Sequence, residues 1–311
     1  MSTGIVVIAI IGFVAQFVDG SLGMGYGVTS TTLLLSAGLA PAMASASVHM
    51  AELGTTAASG AAHWRFGNVD WAMVWPLALP GGVAAFVGAY VLSSISADIA
   101  RPWVSTILLG LGIVILLRSV FGRSVSSAKA SRPRVRALGP LGAVGGFLDA
   151  VGGGGWGPVT TSTLVAATRM EPRHVIGTVS ISEFIVTLGA SVGFLIGLGT
   201  AGFAWDAVVV LLAGGIIAAP IAAWAVRHID FRTMGVAVAG MILFSNVGRV
   251  LGLIGIGPEV ADVVRLAILF GAIGLTSRLW LGRRSHPASD LPGGASAASA
   301  WTMRPQRRGG Q

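Results

Sequence analysis

Two stretches, GFVAQFVDGSLGMGYGVTSTTLLL at 12–35 and GAVGGFLDAVGGGGWGPVTTSTLV at 142–165, each set an aspartate and a run of glycines inside apolar sequence. Aligned, they pair Asp19 with Asp149, Tyr26 with Trp156, and Gly23, Gly25 and Gly27 with Gly153, Gly155 and Gly157. One inserted residue later, PAMASASVHMAELGTT at 41–56 matches PRHVIGTVSISEFIVT at 172–187. That match puts Ser47 on Thr178, Glu52 on Glu183 and Thr56 on Thr187. The correspondence continues more loosely through LPGGVAAFVGAYV and LAGGIIAAPIAAW. A repeat of this length predicts two homologous halves.

The surroundings of these stretches decide the solvent. Only 10% of the residues are charged and 54% are hydrophobic, where soluble domains carry about 25% charged residues. Apolar runs of roughly 16–22 residues recur along the chain, close to the ~20 that cross a bilayer as a helix. The expectation is an all-α polytopic membrane protein. A net charge of +8 raises nucleic acid as a partner. The basic residues, however, lie in short segments between apolar runs and at the C-terminus, as topology-setting charges do, so no nucleic acid is expected. There is no cysteine, which removes disulfide and thiol chemistry. The N-terminus lacks a basic n-region and a clear cleavage site, and is read as mature protein rather than signal peptide.

The repeat divides the chain into a first transmembrane repeat at 1–121, a basic linker at 122–136, a second repeat at 137–256, an extra C-terminal transmembrane helix at 257–284 and a disordered tail at 285–311. In each repeat a glycine-broken segment (5–39; 138–168) precedes three spans (41–62, 71–92, 102–121; 172–198, 205–226, 233–254). A last span covers 260–281. If each broken segment is a re-entrant hairpin, all but Arg101, Arg249 and Arg265 of the twenty Lys and Arg fall on the cytoplasmic side. A single crossing would put the basic linker and basic tail on opposite sides. The positive-inside rule favours the hairpin, with the N-terminus outside and linker and C-terminus cytoplasmic, in a multi-pass protein of the inner membrane. Three crossings per half invert the second repeat, and inverted repeats with broken helices are a mark of secondary transporters.

Four groups of residues can carry chemistry. Asp19 and Asp149 end an apolar turn and open a glycine run. They either cap the broken helices or meet substrate or proton. The glycines are followed by no lysine, which argues against a nucleotide loop; they let two helix tips approach. The hydroxyls after each break, TSTT at 29–32 and TTST at 160–163, sit where half-helix N-termini favour an anion, although Ser and Thr also serve as packing residues in membranes. Finally, Ser45, His49, Glu52, Thr56, Ser59 and His63 share one helix face, and the second half keeps Ser180, Glu183, Thr187 and approximately Ser191. An unpaired carboxylate at this depth is costly to ionise, so Glu52 and Glu183 are either proton carriers or structural hydrogen-bond partners. His49 and Glu52 are spaced to hold a metal, but no second His-rich cluster supports one, and no metal or other cofactor is expected. Arg249 either contacts an anion or snorkels to the outer interface. An intramembrane enzyme would need a nucleophile and base such as Ser59 or Ser191 with His63, and the second repeat has Phe194 where that histidine would recur.

The duplicated GFVAQFVDGSLGMGYG and GFLDAVGGGGWGPV, the segments around SVHMAE and PRHVIGTVSISEF, and the paired Gly-Gly third spans resemble the sulfite exporter TauE/SafE family of membrane permeases, over about residues 5–281. The resemblance implies a secondary transporter of small sulfur-containing anions, such as sulfite or sulfonates. It maps the family's glycines and carboxylates onto Asp19, Gly23, Gly25, Glu52, Asp149, Gly153, Gly155 and Glu183. Two asymmetries stand out within this chain: Met24 faces Gly154 in the alignment, and His49 faces Ser180. The expected substrate-binding set is Gly23, Gly25, Thr29, Thr31, Gly153, Gly155, Thr161 and Ser162. The expected proton-coupling or gating set is Asp19, His49, Glu52, Asp149 and Glu183. Expected partners are a small anion, protons and the lipid bilayer, with a homodimer left open. A passive anion channel is the alternative.

Overall fold

The computed structural model of the chain describes residues 2–22, 24–121, 133–168, 170, 172–225 and 231–284, and these form helices joined by short turns, without strands among them. The first broken segment is a long helix α1 (Ser2–Leu22) followed by an eleven-residue helix α2 (Tyr26–Ser36). The second is α6 (Val135–Gly152), then a π-helical turn (Gly157–Thr161) running into the short α7 (Ser162–Ala167). Eleven residues of α-helix reach about 16 Å, roughly half the ~30 Å hydrocarbon thickness. Each broken segment is thus a long helix, a glycine break and a half-length helix.

The remaining helices are α3 (Pro41–Arg65), α4 (Trp71–Ser93), α5 (Ala97–Phe121), α8 (Pro172–Leu198), α9 (Trp205–Ala225), α10 (Phe231–Leu253) and α11 (Pro258–Arg284). Prolines open α3, α8 and α11, where a missing N–H costs nothing. Asp70 caps α4, its Oδ1 accepting the Ala72 N–H at 3.2 Å. Helices α4, α5, α8, α10 and α11 are long and apolar enough to cross a membrane. Among the residues whose side chains are described, α1 and α9 are apolar over 6–19 and 205–218, and the polar stripe of α3 keeps it out of the first group. Two boundaries differ from the sequence reading. Pro102 lies inside α5 rather than at its start, and α6 begins at Val135, ahead of the expected repeat boundary at 137. Most of the 122–136 linker and all of the 285–311 tail lie outside the described residues.

Small residues set the packing. The Cα of Gly142 and Gly146 in α6 lie against the backbone of Leu77 and Gly81 in α4, while Gly12 of α1 lies against Leu211 of α9 and Gly214 of α9 against Ala9 and Phe13. The first helix of each half therefore packs on a helix of the other half. Between the halves α3 and α8 run antiparallel, with His49 beside Phe194 and Gly60 beside Ile181. α5 packs on α10 through Gly112, Ile242 and Leu243. At the periphery α11 rests on α10 and turns Val263, Leu266, Phe270 and Ile273 outward.

Candidate functional site

The two breaks meet at the centre of the bundle. Gly154 has φ 146°, and a Cβ there would overlap Val28 N and the Gly27 carbonyl carbon. A Cβ on Gly27 would in turn lie 2.5 Å from Gly154 Cα and 2.8 Å from Gly153 O. Only glycine permits such an approach. Thr31 Oγ1 donates to Gly153 O at 2.6 Å across the same junction.

Both aspartates bridge their own break. Asp149 Oδ1 accepts the Trp156 N–H at 2.9 Å, and Asp19 Oδ1 accepts the Tyr26 N–H at 3.4 Å. In each half the carboxylate reaches seven residues forward to the first N–H of the next helical segment, a backbone donor that no helical carbonyl satisfies. The capping geometry is therefore present at both aspartates. Their second oxygens differ. Asp149 Oδ2 lies 3.1 Å from His49 Nε2, whereas Asp19 borders a cavity.

That cavity, about 20 Å³ in volume, is lined by Gln16, Asp19, Tyr26, Glu52, Thr55, Thr56, Ser59, Ser180 and Glu183. Such a volume accommodates a water molecule or so. Glu52 Oε2 and Gln16 Oε1 are buried and hydrogen-bond to nothing among the described residues. The corresponding face in the other half is bulkier and less polar: His49 takes the place of Ser180 and Trp156 that of Tyr26, which add volume, while Val186 in place of Thr55 and Ala190 in place of Ser59 remove hydroxyls. Trp156 and His49 are both wholly buried. A polar opening thus exists on the Asp19 side, and its counterpart is packed.

The carboxylates expected to move protons, Asp19, Glu52 and Glu183, come together at this cavity. His49 and Asp149 join them through Glu52: ligand-type atoms of His49, Glu52 and Asp149 lie within 4.8 Å of one another. The nearest approach in that trio is the His49–Asp149 hydrogen-bonding pair. The hydroxyls expected to bind substrate lie elsewhere. Thr29, Thr31 and Thr161 are wholly buried at the junction of the tips, and the Thr29 and Thr161 hydroxyls lack a hydrogen-bond partner among the described residues. Ser162 accepts from Arg118 Nη1 at 3.3 Å. Gly25, with φ 119°, precedes α2, and Gly153 and Gly155 form the second break. Gly23 lies outside the described residues.

Four residues here escaped the sequence reading. Arg118 reaches from α5 to Ser162 and to Met24 Sδ at 3.3 Å, beside both breaks. By charge alone it belongs with the topology-setting cations, though it lies inside the 102–121 span. Gln16, one turn before Asp19 on α1, and Thr55, beside the stripe, line the cavity. Asn246 Nδ2 donates to Thr32 Oγ1 at 3.4 Å and Ile242 O at 2.9 Å. A lone amide inside an apolar span is the signal that would have found Asn246.

The model of the Sulfite exporter TauE/SafE family matches residues 8–249. The chain is also 48% identical over 278 residues to a probable membrane transporter protein, YtnM, of Bacillus subtilis (strain 168), across 89% of this chain and 90% of that relative. No solved structure matches. Two broken helices meeting tip to tip beside a cluster of buried and half-buried carboxylates fit that assignment, and the chain belongs to the sulfite exporter TauE/SafE family of membrane transporters.

Proposed function

We propose that this protein is a proton-coupled secondary transporter of a small sulfur-containing anion such as sulfite or a sulfonate. The observation that carries the reading is the meeting of two glycine breaks at Gly27 and Gly154, with a carboxylate-lined cavity beside them. Half-helices begin at this junction, and their free N–H groups and dipoles favour an anion. Arg118, beside Ser162, adds a positive charge on the second break. Three carboxylates at the adjoining cavity oppose any anion that stays charged beside them, by several kcal/mol in a site of low dielectric. Binding of an anion is then favoured by protons on Asp19, Glu52 or Glu183, which couples the two fluxes.

Reciprocal contacts support two inverted repeats of 1–121 and 137–256, each a re-entrant hairpin plus three spans. Ser47 Oγ accepts the Ala204 N–H ahead of α9 at 3.0 Å, and its repeat partner Thr178 accepts the Asp70 N–H ahead of α4 at 2.9 Å. α1 packs on α9 as α6 packs on α4. The test is flux of sulfite, thiosulfate, sulfonates and carboxylates into proteoliposomes with and without an imposed pH gradient. Sulfur anions should move, faster with the gradient; gradient-independent flux would indicate a passive channel, and no anion flux would reject the substrate class.

A further inference from the structure

His49 Nδ1 lies 2.8 Å from the Ser45 carbonyl oxygen, and a carbonyl only accepts. Ser45 Oγ–H is directed to Ala150 O at 2.6 Å, so that hydroxyl also offers Nδ1 only lone pairs, at 3.3 Å. Nδ1 therefore carries a hydrogen. A neutral imidazole with its hydrogen on Nδ1 has a lone pair on Nε2. Nε2 faces Asp149 Oδ2 at 3.1 Å, and the two side chains are 0% and 3% exposed. A carboxylate oxygen is again only an acceptor. Two lone pairs at this distance, out of reach of water, repel; a hydrogen has to stand between them.

We infer that the His49–Asp149 pair is a proton-binding site, holding one proton beyond a neutral histidine and a carboxylate, and that this proton fastens α3 of the first half to α6 of the second. The proton belongs to the pair, as imidazolium and carboxylate or as imidazole and carboxylic acid. The inference draws its use from the proton-coupled reading above, but its geometry is independent of it. Facing the pair are Glu52 one turn along α3 and the Phe194 ring of α8 at 5.9 Å between centroids. Glu183 of α8, Asp19 of α1 and Tyr26 of α2 stand around Glu52. Glu52, a carboxylate oxygen of which lies within 4.8 Å of the pair and whose Oε2 is buried without a hydrogen-bond partner among the described residues, is the neighbouring acceptor, reached by a small side-chain movement or through one water. Transfer leaves neutral imidazole and carboxylate at the pair and a carboxylic acid at Glu52, so charge is conserved. Nε2 and Oδ2 then oppose lone pair to lone pair, and the tie between α3 and α6 weakens. Ser180 replaces His49 beside Asp19, so the other half lacks an imidazole at the matching place.

The test reads the ring nitrogens, not transport. A protein with His63, His174, His228 and His286 changed to Gln keeps His49 alone, and ¹⁵N-histidine labelling in nanodiscs then reports one imidazole. The expected spectrum has Nδ1 protonated, with either a protonated Nε2 or an infrared band of a protonated carboxyl that Asp149→Asn removes. In Asp149→Asn the amide oxygen still accepts Trp156 N–H and the amide nitrogen donates to Nε2, so the ring should become a neutral Nδ1–H tautomer. A wild-type ring with bare Nδ1 and hydrogen on Nε2, the ordinary neutral donor to a carboxylate, overturns the inference. If the four-fold variant does not fold, ¹⁵N-His with ¹³C-Ser labelling of the wild type picks out His49 by its contact with Ser45 and gives the same reading. Loss of the anion-transport reading would leave this spectrum unchanged, and a bare Nδ1 would leave that reading standing.

Discussion

Gly27 and Gly154 touch backbone to backbone, so the two half-helices begin at one shared point. A methyl group on either residue has no room, and at Gly154 the φ of 146° adds backbone strain. Gly27→Ala and Gly154→Ala should each destabilise the protein by about 1–3 kcal/mol or more, through overpacking and strain. Gly110→Ala on α5, where a Cβ meets nothing within 4 Å, should be neutral or stabilise by up to about 1 kcal/mol. Thermal unfolding of the three variants in one detergent makes the comparison. Equal stability of Gly154→Ala and Gly110→Ala would mean that the tips do not meet.

The cavity is open on the Asp19 side because Ser180 is small. Ser180→His places there the ring that fills the matching position at His49. Transport should fall by at least about ten-fold, a cost of about 1.4 kcal/mol or more, while Ser180→Ala keeps most of the flux. Folding is checked by thermal unfolding. Undiminished flux in Ser180→His would place the route elsewhere.

Orientation follows from the basic residues. Ser96 joins α4 to α5 on the side expected to be outside, and Phe66, 78% exposed, joins α3 to α4 on the side expected to be inside. The natural chain has no cysteine, so Ser96→Cys and Phe66→Cys each give one label site. In intact cells an impermeant thiol reagent should modify the first and spare the second. The reverse pattern would invert the topology.

The helices were legible because hydropathy and repeat signals are local. The seven spans each correspond to one helix, and both breaks lie at the expected glycines. The stripe of α3 was legible for the same reason, since a 3.6-residue period places Ser45, His49 and Glu52 on one face. What was not legible depends on which neighbour fills a space. Sequence aligned His49 with Ser180, but the consequence, a packed aspartate in one half and an open one in the other, needs Trp156, Val186 and Phe194 in place. Thr29, Thr31 and Thr161 were legible as hydroxyls at the half-helix N-termini, but not that Thr31 would donate to the Gly153 carbonyl across the junction, a contact that depends on how closely the tips approach.

Glu52 connects the two sides of the centre, and the clearest prediction concerns its charge. It is 3% exposed, its Oε2 meets no donor, and Glu183 lies across the cavity from it. A buried, unpaired carboxylate costs several kcal/mol to keep ionised, and an arriving anion adds to that cost. A proton on Glu52 removes both penalties, so the anion and the proton favour each other's binding. Glutamine has the same shape and stays neutral, so Glu52→Gln imitates the protonated form permanently. Anion affinity should stay within about threefold of the natural protein, less than about 1 kcal/mol. The ratio of flux with a pH gradient to flux without one should fall toward unity. Glu183→Gln should act in the same direction and more weakly, because Glu183 is only half-buried. Binding by thermal shift and flux in proteoliposomes, measured on the same preparations, separate affinity from coupling. If both variants keep full gradient-driven transport, the glutamates are structural, and the coupling proton has to reside at Asp19 or at the His49–Asp149 pair.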